Sequence, residues 1–299
     1  MSSLDAERRA DVVDRVLRAI GERYVDPEVA ADIVALVRAR HAAGAYDAAS
    51  SGGELAARLT QDLRETSEDA LLEVVFHRTP RAEHGDAAAP DESDRGAHAN
   101  FGFERVERLA GNVGLVVVRG FHPAEADGAA AAATAAMTLV AHTGAVLFDL
   151  RQNAGGAPSM VTFLASFLFD EPVHLNTVAG RPGTPERQNW TYAHVPGPRF
   201  AGPVLVLVSH ATYGAAEGFA YHLQARGRAR VVGERTRGLG RIGAVHRVDP
   251  SFDVWISTGR SVNPVTGTSW HGTGVVPDIE VPAGDALRAA HAAAPSGGG

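Results

Sequence analysis

The stretch VLVLVSHATYGAAEGFAYHLQ, residues Val204–Gln224, decides how this chain is expected to fold. Its β-branched, apolar beginning, Val204–Val208, predicts a buried strand. A helix with Gly214 as its first residue is predicted next, because apolar side chains such as Phe219 and Leu223 recur at helical spacing. A strand, a tight turn and a helix in this order place the turn residue above a sheet, beside the unpaired N–H groups of the helix start.

Strands and helices alternate on both sides of this stretch. We predict strands at Gly114–Arg119, Ala145–Leu150, Ala229–Gly233, Ala244–Val248 and Val254–Ser257, and helices at Ala124–Thr143, Ser159–Phe169 and Asp285–Ala294. Such alternation is typical of a mostly parallel sheet with covering helices, so an α/β core is expected over residues 112–295. The remaining residues, 296–299, are expected to form a flexible tail.

A small helical bundle is predicted for residues 1–68. Apolar residues at helical spacing indicate helices at Asp5–Tyr24 and Gly53–Glu65, and Asp26 followed by Pro27 marks the start of another helix that ends near Gly44. These residues therefore form a separate N-terminal domain in the prediction.

Residues 69–111 are predicted to hold one strand and a mobile linker. The strand is expected at Leu71–Phe76, and the Pro-, Gly- and Asp-rich segment Thr79–Ala99 has no periodicity. This segment is too short to contain an additional folded module.

The composition excludes several classes of function. The chain has 299 residues and a net charge of −7, which predicts no basic surface for nucleic acid. No apolar run reaches the roughly 18 residues that a membrane helix needs. The polar N-terminus lacks an apolar signal core, so a cytoplasmic protein is expected.

The residue types also limit the chemistry. The sequence contains no cysteine and no lysine, which rules out thiolate nucleophiles, disulfides and Schiff bases. Its 13 histidines are dispersed without a metal-binding spacing, so neither a metal site nor a cofactor is expected. The oligomeric state does not follow from the sequence.

Five segments, in this order along the chain, resemble peptidase family S41. They are GLVVVRGF at Gly114–Phe121, FDLRQNAGG at Phe148–Gly156, the stretch quoted first, RARVVGERTRG at Arg228–Gly238 and SWHGTGVVPDIEVP at Ser269–Pro282. This family includes the C-terminal processing (tail-specific) proteases, the tricorn core and the modules of interphotoreceptor retinoid-binding protein. The resemblance implies a crotonase/ClpP-like α/β core after a small N-terminal helical domain, without an inserted PDZ module.

The resemblance also implies that the catalytic serine has been replaced. In the family this serine lies three residues before a glutamate, and Glu217 places that position on Gly214. Family members with a serine–lysine dyad have their lysine near the position of Leu239, but this chain has none. In tricorn-like members a histidine would align with Leu71, and His271 stands where a glutamate is common. A pseudoprotease is therefore expected.

The family resemblance assigns the DLRxNxGG loop to the oxyanion hole. The residues that match this pattern are Asp149, Leu150, Arg151, Asn153, Gly155 and Gly156. Of these, Arg151, Gly155 and Gly156 would act with the backbone of Gly214 and Ala215. The two glycines could equally serve a tight turn alone. His271 and Arg241 belong to loops that relatives fold over the cleft, and the neighbouring Trp270 is expected to be a core or cleft-wall aromatic.

Four side chains are candidates for acid–base chemistry: His271, Glu217, Tyr213 and His210. Histidine paired with a carboxylate suits proton transfer at neutral pH. Tyr213 and Glu217 would share a helix face if the helix began slightly early. The alternatives are that Glu217 stabilises the positive end of its helix and that His210 has a structural role.

Three functions remain open on this sequence. The first is an S41-like protein that binds a small, largely apolar molecule in the former protease cleft, with possible reuse as an acid–base enzyme of specialised metabolism. The second is an active serine-type hydrolase with a relocated nucleophile such as Ser209 or Thr212. The third is a non-catalytic peptide-binding module.

Overall fold

The computed structural model describes residues 4–80 and 96–295. These residues divide into two compact units. The first unit contains the part before the undescribed residues 81–95 together with Ala179–Glu186 and Arg241–Arg260. The second unit contains the described residues 96–178, the segment Arg187–Gly240, and the described chain from Ser261 onward.

Three helices come first along the chain, and strands and helices are interspersed after them. In chain order the elements are α1 Ala6–Arg23, α2 Pro27–Ala42, α3 Gly52–Ser67, β1 Glu73–Phe76, β2 Phe103–Leu109, β3 Val113–Val118, α4 Ala129–Val140, β4 Ala145–Asp149, α5 Pro158–Ser166, β5 His174–Ala179, β6 Arg187–Trp190, β7 Val204–Val208, α6 Ala215–Ala225, β8 Ala229–Gly233, β9 Arg241–Asp249, β10 Phe252–Val262, β11 Ile279–Glu280 and α7 Ala286–Ala293. Short 3₁₀ turns at Asn100–Gly102 and Ala110–Asn112 flank β2.

The three helices of the first unit begin at side-chain caps. Asp5 accepts a hydrogen bond from the N–H of Arg8, and Asp26 accepts from the first turn of α2, where Pro27 is the first helical residue. Ser51 accepts from the N–H of Glu54 in the same way. These oxygens satisfy N–H groups that have no partner within the helix, which is why the sequence predicts the helix starts well.

The first unit also contains an antiparallel group of strands. Strand β10 pairs antiparallel with β1 and with β9. One face of these strands packs on the helices through apolar residues that include Val12, Ile33, Leu59, Phe252 and Val254. The predicted bundle is thus completed by strands from distant parts of the chain.

The second unit is built on a six-stranded sheet with the order β11-β8-β7-β4-β3-β2. All neighbouring pairs are parallel except β2 with β3, which confirms the predicted mostly parallel sheet. Apolar clusters lie on both faces, so the central strands are buried throughout. The carboxyl ends of β4 and β7 lie at the same edge, which brings the loops after them together.

The structure corrects several of the predicted boundaries. Strand β2 lies within the predicted linker 69–111, and β5, β6 and β11 are additional strands. Strands β9 and β10 belong largely to the first unit rather than to a continuous core over 112–295, because they pair with each other and with β1. The predicted tail and most of the predicted loop Thr79–Ala99 lie outside the described residues.

Helix α4 also begins later than predicted. It starts at Ala129 rather than Ala124, after Gly128 with φ of 89°. A positive φ is incompatible with helical continuation, so the chain turns before the helix starts. No helix in residues 4–80 and 96–295 combines the length and apolar character needed to span a bilayer.

Candidate functional site

The turn between β7 and α6 is centred on Gly214, whose backbone conformation favours glycine. Gly214 has φ of 62° and ψ of −123°, and it is the N-cap rather than the first helical residue, since α6 begins at Ala215. Tyr213 therefore precedes the helix and does not share a helix face with Glu217. A Cβ built on Gly214 would lie 3.8 Å from its nearest recorded neighbour, the Cα of Gly155. The site has room for a side chain, and only the backbone conformation disfavours one.

The loop after β4 packs directly against this turn. Gly155 and Gly156 have φ of 89° and 123°. A Cβ on Gly155 would lie 2.7 Å from the carbonyl oxygen of Tyr213, and one on Gly156 would lie 2.1 Å from that of Phe121. Neither distance is sterically possible, so both positions require glycine. The loop after β4 therefore lies directly against the turn that contains Gly214.

Two backbone donors at this contact are already used. The N–H of Gly155 donates to the side chain of Asn153 over 2.8 Å, and the N–H of Gly214 donates to Glu217 over 2.9 Å. The structure records no acceptor, within the residues that it describes, for the N–H groups of Ala215 and Gly156. These two are the donors that an incoming oxygen could use.

Glu217 is fully buried and serves as an acceptor for segments distant in sequence. Its carboxylate accepts hydrogen bonds from the N–H groups of Gly214, Gly238 and Leu239 at 2.9, 2.5 and 2.9 Å, and from the hydroxyl of Thr236 at 2.6 Å. A carboxylate offers about four lone-pair sites, so these bonds occupy it. This geometry favours the alternative in which Glu217 stabilises the helix start and its surrounding loop.

The neighbouring hydroxyl groups are also engaged. The Ser209 hydroxyl donates to the carbonyl of Arg151 and accepts from the N–H of Ala211. The Thr212 hydroxyl donates to the carbonyl of Leu150 over 2.7 Å, and its oxygen accepts from the N–H of Ser209 over 2.9 Å. Both side chains are buried, and both act as ties between the two loops rather than as free nucleophiles.

Tyr213 has a partner that the sequence did not reveal. The guanidinium of Arg237 lies 5.3 Å from the centre of its ring, which is within the range of a cation–π interaction. The residues are far apart in sequence, and no local pattern links them. The contact places a positive charge beside the turn.

Arg151 acts as a brace within the loop after β4. Its Nε and Nη2 donate to the carboxylate of Asp149 at 2.9 and 2.7 Å, and its Nη1 donates to the carbonyl of Ala283 over 2.7 Å. The hydrogen bonds to Asp149 raise the pKa of the Arg151 guanidinium. A pocket of about 350 Å³ lies beside this brace, lined by Arg119, Arg151, Gln152, Ala283 and Gly284.

Trp270 lies against the inner side of α6. It is 5% exposed, and a Cβ on Gly218 would lie 3.1 Å from its ring. Its ring centre is 5.5 Å from that of the buried His222. Burial lowers the pKa of His222 to about 3, and Asn263 faces its Nδ1 at 3.1 Å. The structure therefore favours the interpretation of Trp270 as a core aromatic.

The remaining predicted residues have different surroundings. His271 is half-buried, its N–H donates to the hydroxyl of Ser269, and it packs against Gly240, where a Cβ would lie 2.9 Å from the His271 nitrogen. His210 is exposed just beyond β7. Arg241 begins β9 in the first unit, where it forms an ion pair with Asp69 at 3.5 Å.

Two family models together match most of the described chain. The model of peptidase family S41 matches residues 112–281. The model of the N-terminal domain of Peptidase_S41 in eukaryotic IRBP matches residues 6–101. The second match covers the predicted helical bundle and the strand that follows it.

Curated relatives share part of the sequence. Carboxyl-terminal-processing peptidase 1, chloroplastic, of Arabidopsis thaliana is 32% identical over 143 residues, which are 48% of this chain and 28% of the relative. A carboxyl-terminal-processing protease of Picosynechococcus sp. is 32% identical over 136 residues, 46% of this chain and 31% of the relative. The matched segments thus span less than a third of these relatives.

Solved structures share the fold over nearly the whole chain. The photosystem II D1 C-terminal processing protease has a TM-score of 0.61 at 17% identity, with 93% of this chain and 94% of that chain covered. A lipoprotein from Streptococcus agalactiae has a TM-score of 0.66 at 14% identity, with 96% of each chain covered. At these identities the likeness concerns the fold alone.

Proposed function

Because this chain belongs to peptidase family S41, we propose that it is a non-proteolytic member that binds a small molecule where the family cleaves peptides. The observation that carries this proposal is the turn at Gly214. It has a strand-to-helix backbone of positive φ with room for a side chain but presents no hydroxyl group. Its position at the carboxyl edge of a parallel sheet is where such sheets bind ligands.

The surrounding polar groups support loss of the peptidase reaction. An acyl-transfer mechanism needs a nucleophile and a base within hydrogen-bond reach of it. The hydroxyls of Ser209 and Thr212 are held by backbone carbonyls, and the carboxylate of Glu217 is held by four donors. None of these three groups is available for proton transfer without breaking the loops that it holds together.

The donors that remain suit a ligand oxygen. The N–H groups of Ala215 and Gly156 can donate to a carbonyl or carboxylate, and both are oriented in advance by the fold. Arg237 adds a positive charge beside Tyr213. Arg119 and Arg151 line the pocket of about 350 Å³ with two guanidinium groups, so we replace the expectation of a largely apolar ligand by one that carries a carbonyl or carboxylate group.

Acid–base catalysis on such a ligand depends on His271 in this proposal. It is the predicted acid–base residue that combines partial burial with a position on the family's C-terminal motif. A substitution His271→Gln that preserves ligand binding and abolishes turnover would assign it that role. Retained turnover in this variant would remove the acid–base part of the proposal.

Serine-hydrolase activity is tested with a fluorophosphonate probe and an unfolded protein substrate. We expect no labelling and no cleavage by the wild-type chain. Labelling that is lost in Ser209→Ala or Thr212→Ala would establish the alternative of a relocated nucleophile. An active S41 protease serves as the positive control.

Ligand binding is tested by the change in thermal stability with a panel of small carboxylates. The variant Ala215→Pro removes the backbone donor, and proline is well accepted at a first helical position. Its control is Ala215→Ser, which keeps the N–H group. We expect carboxylate binding to be weakened about tenfold in the proline variant alone. Equal binding by both variants, or stabilisation only by peptides, would contradict the proposal.

A further inference from the structure

A second polar pocket lies in the first unit, between helix α1 and strand β9. Its volume is about 340 Å³. The charged and ring-bearing residues that line it are Arg15, Arg18, Glu22, Arg23, His246 and Arg247, and we call it the arginine pocket. It involves none of the residues around Gly214.

The pocket follows from the side-chain pattern of α1. Arg15, Arg18 and Glu22 are spaced by three and four residues, so they share one exposed face of the helix. Ala19 lies on the same face and also lines the pocket, where its small side chain leaves space between the arginines. The opposite face, which includes Val16 and Ile20, is buried in the apolar core.

Four guanidinium groups and one carboxylate, that of Glu22, line the pocket, so its positive charges are only partly compensated. Arg15 forms an ion pair with Asp11 at 2.9 Å, and Arg247 lies 3.9 Å from Asp253. For Arg18 and Arg23, the described part of the chain contains no recorded hydrogen-bond or ion-pair partner. A local excess of guanidinium groups is notable in a protein with a net charge of −7.

His246 forms part of the pocket wall beside these arginines. Its Nε2 is buried and has no hydrogen-bond partner among the described residues. Burial and the nearby Arg23 lower the pKa of this imidazole, so the ring is neutral and retains an N–H group. Buried polar atoms are normally paired, so His246 is a pocket-lining side chain with an unused hydrogen-bonding atom.

We propose that the arginine pocket binds an organic phosphate, with Arg18 and Arg23 holding the phosphoryl oxygens. Guanidinium groups match the geometry of a phosphate and donate two parallel hydrogen bonds to it. The volume exceeds the space that one phosphate group fills, which leaves room for an organic body. The pocket is far in sequence from the turn at Gly214, and this inference does not depend on the proposed function.

The test measures binding of phenyl phosphate and inorganic phosphate by isothermal titration calorimetry at constant ionic strength. Saturable binding to the wild-type chain is expected, and it is expected to be tighter for phenyl phosphate. The double variant Arg18→Gln, Arg23→Gln should bind at least about tenfold more weakly. Both side chains are exposed, so the variant is expected to fold, which circular dichroism verifies.

The control is the double variant Arg38→Gln, Arg78→Gln, which removes two exposed arginines that do not line the pocket. It changes the net charge by the same amount and should bind as the wild-type chain does. Absence of saturable binding, undiminished binding by Arg18→Gln, Arg23→Gln, or an equal loss in the control would overturn the proposal. Equal affinity for the two phosphates would overturn the assignment of an organic ligand.

Discussion

At the residue scale, Gly214 sets the backbone conformation of the turn between β7 and α6. Its combination of φ 62° and ψ −123° is tolerated by glycine and costs other residues about 1–3 kcal/mol. In an enzyme that strain exposes the nucleophile. In this chain the turn carries no hydroxyl group, and the described residues contain no recorded acceptor for the N–H of Ala215 beside the glycine loop.

The role of Glu217 is tested by its substitution with glutamine. Glu217→Gln replaces one acceptor oxygen by an NH₂ group that faces N–H donors, so we expect the free energy of unfolding to fall by about 3 kcal/mol. Chemical denaturation measures this change. Glu28→Gln, at an exposed helix start, should change stability by only about 0.5 kcal/mol. A small effect at Glu217 would show that its carboxylate is not the structural acceptor that we describe.

His222 makes stability depend on pH. Its pKa is about 3 in the folded chain and near its ordinary value of 6.5 in the unfolded chain. Between these pH values the imidazole is protonated in the unfolded chain and neutral in the folded chain. The contribution of His222 to the free energy of unfolding is therefore fully present above pH 6.5 and decreases as the pH falls toward 3.

Unfolding experiments at about pH 7.5 and about pH 5.5 measure this dependence. The wild-type chain should lose about 1 kcal/mol more than His222→Gln over this interval. The exposed His210→Gln variant is the control and should behave as the wild-type chain does. Identical pH dependence in wild type and His222→Gln would contradict the buried, neutral imidazole.

At the scale of elements, a buried carboxylate connects three parts of the first unit. Asp69 is fully buried and lies 3.2 Å from the hydroxyl of Tyr24, just after α1. It accepts a hydrogen bond of 2.5 Å from Ser257 in β10, and it pairs with Arg241 at the start of β9. Burial, followed by the charge of Asp69, raises the pKa of Tyr24 to about 12.

The substitution Asp69→Asn should therefore destabilise the chain strongly. It keeps the shape of the side chain but deprives the partly buried Arg241 of this counter-charge, which typically costs about 3–5 kcal/mol. Denaturation of Asp69→Asn, Arg241→Met and the double variant gives the coupling between the two charges. Asp32→Asn on the exposed face of α2 is the control. Additive effects would exclude the ion pair as a source of stability.

At the scale of the whole molecule, the apolar residues form separate cores. The cluster of the first unit shares no residue with the clusters on the two faces of the parallel sheet. Each core therefore has its own set of packing contacts. A cavity in one core should act first on the amides of the unit that contains it.

Native-state hydrogen exchange of two cavity variants tests this separation. Ile33→Ala in the first unit should accelerate exchange in α1, α2 and α3, with a loss of about 3 kcal/mol in local stability. Leu147→Ala in β4 should instead accelerate exchange in the parallel sheet. Both residues are fully buried. Uniform acceleration throughout the chain in either variant would show that the units open together.

The sequence by itself determined the local features of this protein. Helix starts such as Asp26–Pro27, the strand Val204–Val208 and the glycine loop were predictable, because caps, periodicity and tight turns depend on neighbouring residues. The order of the motifs was sufficient to identify the family and hence the parallel sheet.

Only the tertiary structure decided which distant groups meet. It showed that Glu217 is bound by Thr236, Gly238 and Leu239, that Arg237 covers Tyr213, and that β9 and β10 join the first unit. The choice of partner for a strand, and the distant donor that a buried carboxylate meets, leave no periodic signal in a single sequence. For that reason Glu217 was a candidate catalytic residue on sequence alone and is the buried acceptor of its loop in the folded chain.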